Sequence, residues 1–371
     1  MSPQAYELRI PARRLLVGML LTVLPISVAG LYSLSESERS LERTIGTHFK
    51  TIAEATAAEV AQFIHDRVMD VGVMASSPAI RDVIEEANRS YQGLSEEAVA
   101  ARIDRTEKIW NTPGAEPFVT QMLASRASRM LRRHRELDPR FLRITVTDGR
   151  GATVAATHKT LDYFQADEDF WRAIYADGRG AVNVTDVLYD EVTKSYYFGI
   201  GVPVLEEGTN RFLGAVDALV DLSSLFPFVN RLRLGAAARA SLVKEDGTII
   251  VSPEASLSAN LKSAEYSAVR DALQTLEGRQ TGYVVADVPG GSRRLIGFAD
   301  TGLKDDYRNL AWIVLVSQDV QEAFAPTRAV GRLVALMALI GLAMVVLLAM
   351  YLSVHREQPI TDIESPQRVT T

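Results

Sequence analysis

Cysteine is absent from all 371 residues, and histidine occurs only five times, at His48, His65, His134, His158 and His355. The first absence excludes a thiol nucleophile and every disulfide, so packing alone must hold any exported part of the chain. The second leaves no HExxH pair and no two imidazoles at a metal-ligand separation. No GxSxG elbow and no Walker A loop is present either. Enzymes of these classes are not expected, and neither is a metal or organic cofactor. The net charge of −6 also lacks the basic excess that a nucleic-acid partner requires.

What the chain does have is two long hydrophobic runs, from Leu15 to Leu34 and from Leu333 to Val354, neither with an Asp, Glu or Lys. Each has about the 20 residues with which a helix crosses ~30 Å of hydrocarbon. Arg9, Arg13 and Arg14 precede the first run, and His355 with Arg356 follows the second. The bias of basic residues toward the cytoplasm then puts both termini inside, and residues from about Ser35 to Thr327 outside a bacterial inner membrane. Arg328 and Arg332 oppose this assignment unless they snorkel to lipid phosphates. A cleaved signal peptide ending at Ser27-Val28-Ala29 is the alternative for the first run. That run is longer than the roughly 7–15 apolar residues of a signal core, which favours an uncleaved anchor.

Between the runs, Leu41, Ile45, Phe49, Ile52, Thr56, Val60, Phe63, Val68 and Val71 recur at spacings of three to five. This is the stripe of one long amphipathic helix, which needs cover from the domain itself or from a second copy. Residues 79–139 read mainly helical, with a start at Ser95 and a basic helix from Ser125 to Arg135 that stops at Asp138-Pro139. From Phe141 the period falls to two. The spacing predicts strands over 141–147 and 152–157 about an Asp148-Gly149 turn, a short helix over 169–176, and strands over 181–189, 195–205 and 211–220. The order then repeats: strands over 240–243 and 248–252 about Asp246-Gly247, a helix over 263–276, and strands over 281–288, 293–299 and 310–317. The two Asp-Gly turns lie 98 residues apart, as do Asp221 and Asp319. A fixed offset implies a duplicated unit. Each unit reads as a five-stranded antiparallel sheet with helices on one face, and the fold class as α+β.

Three local patterns carry a resemblance to a known family: Ile144-Thr145-Val146-Thr147-Asp148-Gly149-Arg150-Gly151; Val187-Leu188-Tyr189-Asp190 followed by Gly201-Val202-Pro203-Val204; and Gly214-Ala215-Val216-Asp217-Ala218-Leu219-Val220-Asp221-Leu222. With the order of elements, they make residues 36–325 similar to the double Cache (dCache) sensor domains of bacterial transmembrane receptors. The resemblance implies an α+β fold, a long N-terminal helix plus two PAS-like antiparallel-sheet modules between two transmembrane helices. It divides the chain into a cytoplasmic N-terminus (1–14), a first span (15–34), the stalk helix with the helical part of the distal module (35–140), a membrane-distal module (141–234), a membrane-proximal module (235–327), a second span (329–354) and a cytoplasmic tail (355–371).

In the branch of that family that binds amino acids, ligand contacts come from a Tyr, an Arg five residues on, a Trp-Tyr pair, and a Tyr and an Asp on later strands. Tyr163 and Tyr189 occupy the outer Tyr positions, and Trp171 matches the Trp in one register. The Arg position falls on Glu168, or on Asp169 after a one-residue shift. The late Asp position falls on Leu219, with Asp217 two residues earlier on the same strand face. The resemblance therefore implies a site from Tyr163, Glu168, Trp171, Tyr175, Tyr189 and Asp217. It lacks the carboxylate-binding Arg and takes a small polar ligand, with an amine as the fitting group. Such aromatic residues suit a ligand wall and a core equally. Acidic residues at 168–169 also suit a helix start, through capping and the helix dipole. Asp217, if buried, needs a partner from either source.

The tail after Val354 contains two prolines in 17 residues and reads as disordered. No output domain is expected, so signal would pass through a homodimer or a separate signalling protein. The expected function is a membrane-anchored extracytoplasmic small-molecule sensor. The alternative is an envelope scaffold that binds protein, marked by a filled core and an exposed apolar patch.

Overall fold

A single helix, α1 (Ala12–Ala75), continues from the first hydrophobic run, through Pro25, into the amphipathic stretch. The computed structural model describes residues 12–191, 193–230, 238–253, 261–275, 281–289 and 291–354. Arg9, His355, Arg356 and the C-terminal tail lie outside the described residues, as do the side chains of Arg13 and Arg14. Two compact units result, one of residues 46–320 and one of the terminal segments before and after it.

In the larger unit, α1 buries Phe49, Ala53, Thr56, Ala57, Val60, Phe63, Ile64 and Val71. The domain itself covers this stripe: Phe63 packs on Phe228 with ring centroids 5.5 Å apart, and the backbone at Phe49 and Lys50 lies against Gly297. Helices α2 (Pro78–Arg89), α3 (Glu96–Trp110), α4 (Glu116–Leu123) and α5 (Arg126–Leu137) follow. Their starts have ordinary chemical causes. Pro78 opens α2, where its missing N–H costs nothing. The hydroxyls of Ser95 and Ser125 accept hydrogen bonds from the N–H of Ala98 and Ser128 and cap α3 and α5.

The first sheet contains β1 (Phe141–Asp148), β2 (Thr153–Ala156), β3 (Asn183–Val184), β4 (Leu188–Asp190), β5 (Ser195–Leu205) and β6 (Phe212–Asp221), with α6 (Asp169–Tyr175) between β2 and β3. Its order is β2-β1-β6-β5-β3, and β4 also pairs with β5. The β1–β2 turn forms because the Asp148 carboxylate accepts from the N–H groups of Arg150 (2.8 Å) and Ala152 (3.0 Å). Burial is continuous rather than alternating: β6 is buried from Phe212 to Val220. This sheet is therefore covered on both faces, not on one as the strand pattern predicts.

A six-stranded sheet also replaces the predicted five, because the run over 181–189 breaks in two. At the break the N–H of Thr185 donates to the Gly199 carbonyl (2.8 Å), and the Thr185 hydroxyl accepts from the Gly199 N–H (2.7 Å). Asp186 then turns out of the sheet.

A short helix, α7 (Phe226–Asn230), precedes the second sheet, which holds β7 (Arg239–Lys244), β8 (Ile249–Val251), β9 (Thr281–Asp287), β10 (Arg293–Asp300) and β11 (Trp312–Asp319). Helix α8 (Ala264–Thr275) packs on it, and α9 (Leu303–Asp306) and α10 (Val320–Ala323) are single turns. Its order, β8-β7-β11-β10-β9, repeats the path of the first sheet, and every pair in both sheets is antiparallel. The Asp246 carboxylate accepts from the Thr248 N–H (2.9 Å), as Asp148 does one repeat earlier.

In the terminal unit, the N-terminal part of α1 lies beside α11 (Ala325–Val354). Gly30 approaches Val334, Gly331 approaches Leu34, and Gly341 approaches Val23. Both helices are long and apolar enough to cross a membrane. Leu20, Leu21, Leu24, Ile26, Leu336, Met337, Leu339 and Leu347 are each more than half exposed, which suits hydrocarbon and not water.

Candidate ligand-binding site

The first sheet turns one row of side chains toward α6. Thr145 pairs with Asp217 and Asp217 with Gly201, while Arg143 pairs with Leu219 and Leu219 with Gly199. Directly paired residues share a face, so Arg143, Thr145, Thr147, Asp217, Gly199, Gly201 and Tyr197 all lie on it. The glycines are what let the cover come close. Ile174 of α6 occupies the space a side chain at 201 would need, and the Thr185 hydroxyl is 2.9 Å from where a Cβ at 199 would sit. From α6, the Trp171 indole N–H donates to the Thr147 hydroxyl (2.9 Å). Trp171 stacks on Tyr175 at 5.1 Å, and both rings meet Phe212 edge-on.

Asp217 is 9% exposed, and among the described residues no hydrogen bond reaches its carboxylate. Burial pushes its carboxyl up to about 7, against the pull of the Arg143 guanidinium. Arg143 is itself mostly buried, and its Nη1 donates to Asp190 at 3.3 Å. The Arg143 Nε is buried without a partner among the described residues. The other Asp190 oxygen is taken by the N–H and hydroxyl of Thr193. Tyr197 is pushed up to about 12, by burial first and then by the Asp217 charge, and Asp190 and Glu168 add to the rise. Burial and the charges of Arg135 and Arg143 lower the pKa of His158. The Arg143 guanidinium thus serves both Asp190 and Asp217, while Arg172 acts on Glu168.

The residues predicted for the site do not all meet. Asp217 and Trp171 share the α6 face, and Tyr175 stacks above Trp171, 37% exposed. Glu168 precedes α6 with no side-chain capping bond. Partial burial raises its pKa, followed by the charges of Asp167, Asp162 and Asp169. Asp169 points into solvent and pairs with Arg172. Tyr163 belongs to a separate aromatic cluster with Trp110 and Phe118, near the partly buried Tyr91–Asp148 hydrogen bond. Tyr189 pairs with Tyr196, on the opposite strand face from Asp217, and is 44% exposed. Its neighbour Asp190 points to the site instead. Arg143, Asp190, Tyr197 and the two glycines escape the sequence reading, although a charged residue at an inward position of an apolar strand is a legible signal.

A cavity of about 380 Å³ lies elsewhere, along α3 between Val99, Ile103, Glu107, Arg150 and Phe164. Among the described residues no group of three or more His, Asp or Glu is placed to hold a metal ion.

The family model described as Cache domain, of the dCache type, matches residues 37–327. Solved structures similar in fold include the ligand-binding domain of the Campylobacter jejuni chemoreceptor Tlp3 in complex with L-norvaline. That domain is 13% identical, covers 76% of this chain and 94% of its own, and has a TM-score of 0.50. Two ligand-binding domains of Pseudomonas aeruginosa PAO1 amino acid chemoreceptors are also similar. PctB with L-Arg is 17% identical, with 76% and 98% of the two chains covered and a TM-score of 0.45. PctC with GABA is 17% identical, with 74% and 99% covered and a TM-score of 0.47. No curated protein matches the chain significantly. Two sheets of one repeated order behind a long helix, matched by the family model over most of the sequence, establish that this chain belongs to the Cache domain family in its double form.

Proposed function

We propose that this protein is a membrane-anchored extracytoplasmic sensor of a small amine-bearing molecule, acting through a homodimer or a separate signalling protein. In this reading both termini are cytoplasmic and the sheet-bearing unit is periplasmic. The observation that carries the ligand class is Asp217, a buried carboxyl without a hydrogen-bond donor on the face that α6 covers. An ammonium group beside it would supply that donor and favour the charged carboxylate. A ligand carboxylate is poorly served there. Arg143 is engaged by Asp190, and Asp162, Asp167 and Glu168 gather before α6. Ligand would act by favouring one of two arrangements of the helices that lead to the membrane.

Calorimetry on the full chain in lipid nanodiscs tests this, with butylamine, 1,4-diaminobutane, 4-aminobutanoate and L-norvaline as probes. The amines are expected to bind at least tenfold more tightly than the two carboxylate-bearing probes, and Asp217→Asn is expected to abolish their binding. Tighter binding of L-norvaline, or amine binding that survives Asp217→Asn, would overturn the assignment. Affinity for the amines should also rise with pH through about 7, as Asp217 ionises.

A further inference from the structure

The segment that breaks the predicted strand over 181–189 touches both sheets at adjacent residues. Thr185 holds Gly199 on the ligand face, and the position of a Cβ on Gly199 is 3.8 Å from the Asp217 carboxylate. The next residue, Asp186, faces the second sheet. Its Oδ1 accepts from the indole N–H of Trp312 (3.0 Å), and its Oδ2 pairs with Lys244 (2.7 Å). Trp312 and Lys244 are themselves a cross-strand pair of β11 and β7. Asn309 adds a bond from its side-chain amide to the Val184 carbonyl (3.1 Å). At the far end of the segment, Asp190 meets Arg143.

The geometry points to Asp186 as the relay of this sensor, the residue through which a change at the Asp217 site displaces β7 and β11 of the second sheet. The physical reason is the shortness of the path. Thr185 and Asp186 share one peptide unit, so the former cannot shift on Gly199 without moving the latter. The Trp312 indole is fully buried, and losing the Asp186 acceptor would leave its N–H unpaired. Asp186 is a positioning residue: it acts on the second sheet through its bonds and makes no contact with Asp217. The inference relies on the proposed ligand site for its location only. Another route runs through Phe198, whose ring meets Trp312 edge-on at 6.2 Å.

The full chain in nanodiscs, labelled with 5-fluorotryptophan, separates the routes, because it has three tryptophans and each resonance is assigned by a Trp→Phe substitution. No ligand is used. Gly199→Ala drives a wedge against the Thr185 hydroxyl, and Thr185→Val, which only removes that acceptor, decides the matter if the wedge prevents folding. Either change is expected to shift the Trp312 resonance, and Asp186→Ala is expected to cut that further shift by at least half. A Trp312 resonance that stays put, or moves equally with and without Asp186, overturns the relay. Because the readout needs no ligand, its failure leaves the amine reading untouched, and an absence of amine binding leaves the relay untouched.

Discussion

At the scale of single residues, the chemistry concentrates on Asp217. Burial lifts its carboxyl from 3.8 to about 7, so folding favours its protonated form. The stability this group contributes is therefore complete below pH 3.8 and is lost as the pH rises toward 7. Asp217→Asn removes that dependence. The variant should match the parent near pH 4 and exceed it at pH 8, by on the order of 4 kcal/mol. Chemical denaturation of both proteins across this range checks it, and a difference independent of pH would contradict the assignment. Asp217 was legible because a carboxylate inside Leu213–Val220 interrupts an apolar run. The residues on its strand face were not. Arg143 and Asp190 lie 47 residues apart in sequence and share a face only because β1 and β4 flank β6 and β5 in one sheet.

At the scale of elements, most helices and strands were legible from periodicity and from the residues that stop them. Ser95 starts its helix as expected, Ser125 caps the next, and both Asp-Gly turns use the aspartate carboxylate to hold the following N–H groups. The division of 181–189 into β3 and β4 was not legible. It depends on Thr185 turning to Gly199 and Asp186 to Trp312, neither of which is a local property. The alanines in the buried stripe of α1 were also missed, because a stripe read from large apolar residues passes over the small ones that let strands come close. Gly297 marks such an approach. A Cβ there would sit 2.5 Å from the Phe49 carbonyl carbon and 2.7 Å from the Lys50 nitrogen. Because backbone cannot yield as a side chain does, Gly297→Ala should lower stability by about 1–3 kcal/mol. A urea midpoint equal to that of the parent would show that α1 does not press on β10.

At the scale of the whole molecule, the absence of cysteine offers a clean test of which side the sheets occupy. Asp305→Cys places a single thiol at an exposed position of the larger unit. A membrane-impermeant maleimide should label it in intact cells with an opened outer membrane, and labelling only after lysis would reverse the proposed orientation. The two apolar runs, the long stripe and the repeat near 98 residues were all present in the sequence, because each follows from local hydrophobic period or turn chemistry, whereas the double Cache fold was reached through the resemblance of three local patterns to that family. Tertiary structure alone decided that the domain buries the α1 residues from Phe49 to Val71 within the chain, and that Tyr163 and Tyr189 stand apart from Asp217. It also decided that Arg143 and Asp190 face Asp217, because pairing between distant strands sets which side chains share a face and no local pattern records that register.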